Sequence, residues 1–202
     1  MVALVAVAYA ALITLDAAGA FDLSTGALIV IGLRLVTPLL ILRYWLAGGI
    51  VAMFIDLIDV VLIDLISLGG FGGEYSQIDK ALDSYYYVLE LLVALTWTNS
   101  WIRLPAAGLF AYRVVGAILF EATSERIFLF FFPNLFENWW LFCVIAMRWF
   151  PHLVPRSGRG VVWAMFLLLL PKIPQEYVLH VSEAQPWNWI KEHILKPIGI
   201  SP

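Results

Sequence analysis

Residues 51–92 read VAMFIDLIDVVLIDLISLGGFGGEYSQIDKALDSYYYVLELL, two apolar runs joined by a glycine-rich stretch and carrying Asp56, Asp59, Asp64, Asp79 and Asp83. Each run is long enough to cross a bilayer as a helix, which takes about 20 mainly apolar residues. An ionised aspartate at the centre of such a helix costs about 2.5–3.5 kcal/mol on insertion scales. Acids placed there face a protein interior or a water-filled cavity, and they need a compensating partner. The fold reading is therefore a bundle of membrane helices built around buried negative charge. A bound cation is the simplest compensation.

The rest of the chain agrees with a lipid setting. Of 202 residues, 62% are hydrophobic and 13% charged, and the mean hydropathy is +0.90. A water-soluble domain is about 45–50% apolar and about 25% charged, so that class is excluded. Punctuation at charges and turn residues predicts spans at 2–20, 27–43, 46–68, 79–98, 104–121, 127–149 and 160–180. The result is an all-α polytopic membrane protein of six to seven spans in one domain, 1–202, in the cell inner or plasma membrane. The very short "RYW" turn at 43–45 leaves the second and third spans open to merging. The N-terminal run lacks the basic flank of a signal peptide and reads as a first membrane helix.

The tail EAQPWNWIKEHILKPIGISP, 183–202, alternates Trp187, Trp189, Ile190, Ile194 and Leu195 with Lys191, Glu192, His193 and Lys196. That pattern predicts a helix lying in the membrane interface. The net charge of −3, with no basic cluster, argues against a nucleic-acid partner. Cys143 is the single cysteine, too few for a disulfide or a thiolate metal site. Five basic loop residues on one side (Arg43, Arg103, Arg148, Arg156, Arg159) face four on the other (Lys80, Arg126, Lys191, Lys196). The orientation stays open under the positive-inside rule.

Helical spacing organises the acids. Asp56 and Asp59 are three apart, Asp79 and Asp83 four apart, so each pair shares a helix face. A reversal at the glycines of 69–73 sets the two faces opposite one another. Four carboxylates around one cavity call for a divalent ion, and oxygen donors suit Mg²⁺, Mn²⁺ or Ca²⁺. Asp64 falls off the shared face, nearer the membrane surface. Pairing of the acids with arginines is the alternative compensation.

The order D-x-x-D on one membrane helix, a turn, then D-x-x-x-D opening the next resembles the CDP-alcohol phosphotransferase family. Its signature is D-x-x-D-G-x-x-A-R followed by G-x-x-x-D-x-x-x-D. Asp56 and Asp59 match the first two acids, Asp79 and Asp83 the last two. GLRLVTPLLILRYW, holding Arg34, resembles the helix before the motif, and AGLFAYRVVGAILF places Arg113 at a family arginine position. The resemblance covers roughly residues 27–120. It implies that the four acids hold Mg²⁺ or Mn²⁺ against a nucleotide-diphosphate donor, with Asp83 as general base toward an alcohol acceptor. It further implies a membrane lipid substrate, a phospholipid-type product and a homodimer. Val60, Ile63, Asp64 and Tyr75 stand where the family has Gly, Ala, Arg and Gly. Branched side chains crowd the space where the nucleotide approaches the helix, which predicts weak CDP binding.

Arg34, Arg113 and Arg126 are candidates for an anionic lipid phosphate, since a guanidinium makes forked contacts with phosphate. They are equally placed to neutralise Glu90, Glu121 or Glu137. Lys172, Glu176 and His180 form an i, i+4, i+8 stripe, read first as a Lys172–Glu176 pair and second as the lining of an entrance. Pro133, Asn134, Glu137 and Asn138 in FFFPNLFENWW predict a kink with hydrogen bonds between packed helices. Two other functions fit the same acids: an intramembrane prenyltransferase, and a non-catalytic cation transporter or subunit of a membrane complex.

Overall fold

A computed structural model describes residues 2–17, 24–66, 75–182 and 189–198. The described residues are helical, with no strand among them. In order these are α1 (Val2–Ala17), α2 (Thr25–Val36), a 3₁₀ turn (Thr37–Leu42), α3 (Trp45–Ile66), α4 (Tyr75–Leu95), α5 (Ser100–Thr123), α6 (Ile127–Phe131), α7 (Leu135–Trp149) and α8 (Gly158–His180). Short helical turns follow at Lys191–Leu195 and Lys196–Ile198. The chain divides into two compact units, Met1–Leu89 with Pro186–Pro202, and Glu90–Gln185.

Four segments among the described residues are long and apolar enough to cross a membrane: Thr25–Leu42, Ser100–Thr123, Ile127–Trp149 and Gly158–Leu179. Apolar side chains cover the outside of these helices. Leu104 is 65% exposed, Ile118 61% and Val162 67%. Water would penalise such surfaces, whereas lipid tails accept them at no cost. The aspartate-bearing helices, α3 and α4, run for 22 and 21 residues. The glycines of 69–73, the predicted reversal between them, lie outside the described residues, as does Trp187 of the tail.

In the first unit α2 is the organising helix. Ser24 caps it by accepting a hydrogen bond from Ala27 N at 3.1 Å. Ala27, Val30, Ile31 and Arg34 are its buried stripe, the i, i+3, i+4, i+7 spacing of one helix face. The three apolar members pack with Leu82 of α4, and Tyr9, Leu12, Leu28, Leu35, Leu62 and Ile78 close around them. The Tyr9 hydroxyl from α1 donates to Leu28 O at 2.7 Å.

Pro38, near the start of the 3₁₀ turn, lacks the N–H that would continue the α-helical ladder. The chain then turns at Arg43–Tyr44 and enters α3, keeping the second and third predicted spans separate. Tyr44 N donates to Leu40 O at 2.7 Å and Gly48 N to Tyr44 O at 2.6 Å. The corner requires Gly48, because a Cβ there would lie 2.3 Å from Ile41 N and 2.4 Å from Leu40 C. The neighbours are backbone and cannot rotate aside.

In the second unit Trp139 and Trp140 of α7 are wholly buried and satisfy their ring N–H groups on helix backbones. Trp139 Nε1 donates to Ile102 O at 3.1 Å, and Trp140 Nε1 to Glu90 O at 2.9 Å. The predicted kink in FFFPNLFENWW is a full break: α6 ends at Phe131 and α7 begins at Leu135. Asn99 caps α5 by accepting from Trp101 N at 2.9 Å, and its amide donates to Pro155 O at 2.8 Å.

Gly48→Ala tests the corner. Overpacking against immobile backbone costs about 1–3 kcal/mol. Detergent-solubilised protein carrying the substitution should melt at a clearly lower temperature than wild type, while Gly108→Ala, where a Cβ meets nothing within 4 Å, should not.

Candidate carboxylate–guanidinium site

The buried stripe of α2 ends in a charge. Arg34 stands one turn beyond Val30 and Ile31, so the packing that buries those residues carries its guanidinium into the first unit's interior. There it meets all four matched aspartates. Its Nη1 donates to Asp59 Oδ2 at 2.7 Å and to Asp79 Oδ1 at 2.6 Å. Its Nη2 donates to Asp83 Oδ1 at 2.5 Å and to Asp56 Oδ1. Each terminal nitrogen thus bridges one acid of α3 and one of α4.

The pairing records the register of the two helices. Asp56 shares a nitrogen with Asp83, the later acid of α4, and Asp59 shares one with Asp79, the earlier. Antiparallel helices produce that crossed order. Only an arginine spans it: its planar fork presents several fixed donors, whereas a lysine is a single point charge.

The cluster has a closed side and an open one. The side chains of Arg34 and Asp59 are each 3% exposed, while those of Asp56, Asp79 and Asp83 keep 31%, 29% and 24%. Asp59 is the buried anchor. The other three acids each offer an oxygen, and those oxygens lie within 4.8 Å of one another. Carboxylate oxygens so grouped are the donor set of a hard divalent cation. Charge permits it as well, since four carboxylates against one guanidinium leave three formal negative charges. The residues present therefore fit Mg²⁺ or Mn²⁺, with Asp56, Asp79 and Asp83 as the grouped donors and Asp59 set apart from them on Arg34.

The remaining candidates have other settings. Arg113 Nη1, in the second unit, donates to Phe132 O at 3.0 Å, a carbonyl left over where α6 breaks. Arg126 is exposed at the start of α6. Lys172 pairs with Glu176 at 3.1 Å, as the i, i+4 spacing suggests. The side chains of Val60, Ile63, Asp64, Tyr75 and His180 lie outside the described residues. The link that sequence reasoning missed is that Arg34 serves all four acids. Its signal was available in the stripe Ala27, Val30, Ile31, Arg34.

No protein-family model, no curated protein and no solved structure matches this chain.

Arg34→Gln should be the most damaging single change in this unit. It removes the guanidinium that buried Asp59 and three neighbours share, and breaking a buried pair from one side costs about 3–5 kcal/mol. Unfolding of the variant in mild detergent should show a large loss of stability, partly restored by millimolar Mn²⁺. Wild-type stability would show that the guanidinium does not hold the cluster together.

Proposed function

We propose that this chain is a multi-pass integral membrane enzyme of six to seven spans, a divalent-metal-dependent phosphotransferase resembling the CDP-alcohol phosphatidyltransferases. The observation that carries the reading is the convergence of Asp56, Asp79 and Asp83 oxygens within 4.8 Å on the open side of a buried Arg34–Asp59 pair. Such an arrangement suits a reaction in which an alcohol acceptor attacks the phosphorus bearing the lipid or alcohol of a diphosphate-activated donor, so that a phosphodiester forms and the other phosphate leaves with its nucleotide or other group. A Mg²⁺ or Mn²⁺ ion held by Asp56, Asp79 and Asp83 would neutralise the diphosphate and its leaving phosphate. Arg34 holds the three carboxylates in place from behind. Asp83, on the open side, is the group assigned to accept the acceptor alcohol's proton. The closed side buries Asp59, and the three other acids remain partly open to a ligand. The donor is a nucleotide or other diphosphate, the setting an inner or plasma membrane, and the assembly a homodimer.

A second reading is favoured by one specific feature, the use of all four aspartates on a single guanidinium. A cluster so compensated also serves as a non-catalytic fastening of α2, α3 and α4 in a transporter or complex subunit. The two readings differ in what a divalent ion does.

On the enzymatic reading, Mn²⁺ raises the melting temperature of the wild type, because a ligand bound only by the folded state stabilises it. Asp56→Ala should lose both this shift and turnover. Asp83→Asn keeps a carbonyl oxygen but no proton acceptor, so it should retain much of the Mn²⁺ shift while turnover falls by about 10²–10⁴-fold. Turnover is assayed with purified protein and a panel of nucleotide and prenyl diphosphates with lipid alcohols. Absence of turnover with every donor, together with equal Mn²⁺ responses in wild type and Asp56→Ala, would overturn the enzymatic reading.

A further inference from the structure

The second unit holds a carboxyl group in a different predicament. Glu90 of α4 is 0% exposed, and among the described residues neither Oε1 nor Oε2 has a hydrogen-bond partner. Trp140 Nε1 of α7 is bonded to the Glu90 carbonyl at 2.9 Å, so the backbone is held while the side chain is left unmatched. Glu137, one turn before Trp140 on α7 and of the same sign, is near enough to repel a charge on Glu90.

The basic groups of this unit near the helix break have partners elsewhere. Arg113 donates to Phe132 O at 3.0 Å, and Lys172 is paired with Glu176 at 3.1 Å. Beyond Glu137 the polar groups continue. Asn134 Nδ2 donates to Glu137 Oε2 at 2.7 Å, and Asn134 N donates to Glu176 Oε1 at 3.1 Å. Asn134, Glu176 and Lys172 are themselves buried. A line of polar groups thus runs from the start of α7 to α8, and Glu90 is not hydrogen-bonded to it.

A buried carboxylate with neither a donor nor a counter-charge costs far more than a neutral acid, so the group sheds its charge. An ionisable side chain inside a membrane helix is by default a candidate proton or ion site. We propose that Glu90 is a membrane-buried proton-binding site, present as the carboxylic acid, with Glu137 as the neighbouring acid whose like charge favours the neutral form. The ligand is the proton. A metal cation is the competing occupant, and the test separates them. The proposal is independent of the aspartate cluster and of its chemistry.

The full chain in detergent or nanodiscs is studied by infrared spectroscopy at neutral pH, in H₂O and D₂O. Wild type should show a protonated-carboxyl C=O stretch that shifts in D₂O and is lost in Glu90→Gln, whose amide mimics the neutral acid and should leave the melting temperature near that of wild type. In parallel, wild type is treated with dicyclohexylcarbodiimide, an apolar reagent for protonated carboxyls, and mapped by mass spectrometry. An adduct on Glu90 in preference to exposed Glu125, unaffected by sodium, is the expected result. Should Glu90→Gln not fold, the wild-type adduct decides alone. A wild-type spectrum without the acid band, or an adduct suppressed by sodium but not by choline, overturns the proposal. The second outcome assigns the position to a metal cation.

Discussion

The first unit depends on one guanidinium. Four carboxylates in a medium of low dielectric repel one another strongly, and their attraction to a cation among them is strengthened by the same low dielectric. Arg34 answers that repulsion with two nitrogens, each joined to one acid from α3 and one from α4. The geometry leaves little freedom. A one-residue slip of either helix would turn its acids by about 100° away from the fork, given 3.6 residues per turn. The apolar stripe of α2, the corner at Gly48 and the antiparallel pairing of α3 with α4 are all conditions for that meeting. Desolvation makes such a cluster a poor source of net stability compared with apolar packing. Its effect is on specificity: it penalises other registers.

Specificity of this kind matters more in lipid than in water. Lipid tails are as apolar as leucine, so burying a leucine between two membrane helices brings little hydrophobic gain. Helices are instead selected by close packing and by polar groups that have few other partners. The second unit shows the same logic with neutral groups. Two tryptophan N–H groups bond to backbone carbonyls of neighbouring helices. Where Pro133 interrupts the chain, Arg113 donates to Phe132 O and Asn134 N donates to the Glu176 carboxylate. A break that would strand backbone groups in hydrocarbon becomes a junction between helices, which is the condition for irregular backbone at membrane depth.

The sequence made the helical class and most element positions readable, because apolar length is a one-dimensional property. α3 and α5 begin within a few residues of where charge and turn signals put them. The division of 127–149 into α6 and α7 was legible only as a kink, since Pro133 marks a disturbance but not its extent. The acids were legible as pairs from their spacing of three and four. Their common partner was not, because pairing across three helices depends on which face of α2 packs inward. The stripe Ala27, Val30, Ile31, Arg34 held that information, yet an arginine on an apolar stripe reads by habit as a surface or phosphate-binding residue. Glu90 was harder still. Nothing in YYYVLELLVAL says whether its lone acid meets a cation, and only the neighbours brought by α7 decide it.

The two acidic settings differ in what compensates them, and this difference bears on what each can do. An arginine guanidinium does not give up its proton in a protein, so the aspartates have a permanent positive partner and three of them remain partly open to a second one. Groups so placed are fitted to hold charged ligands, metal and phosphate together, without the protein itself having to change protonation. Among the described residues Glu90 has no such partner, and the nearby acid Glu137 adds repulsion. A proton is the smallest cation that removes this conflict, and it needs no cage of ligands. Along α4, then, carboxylic acids meet opposite neighbours: an arginine from α2 at Asp79 and Asp83, and a glutamate from α7 near Glu90.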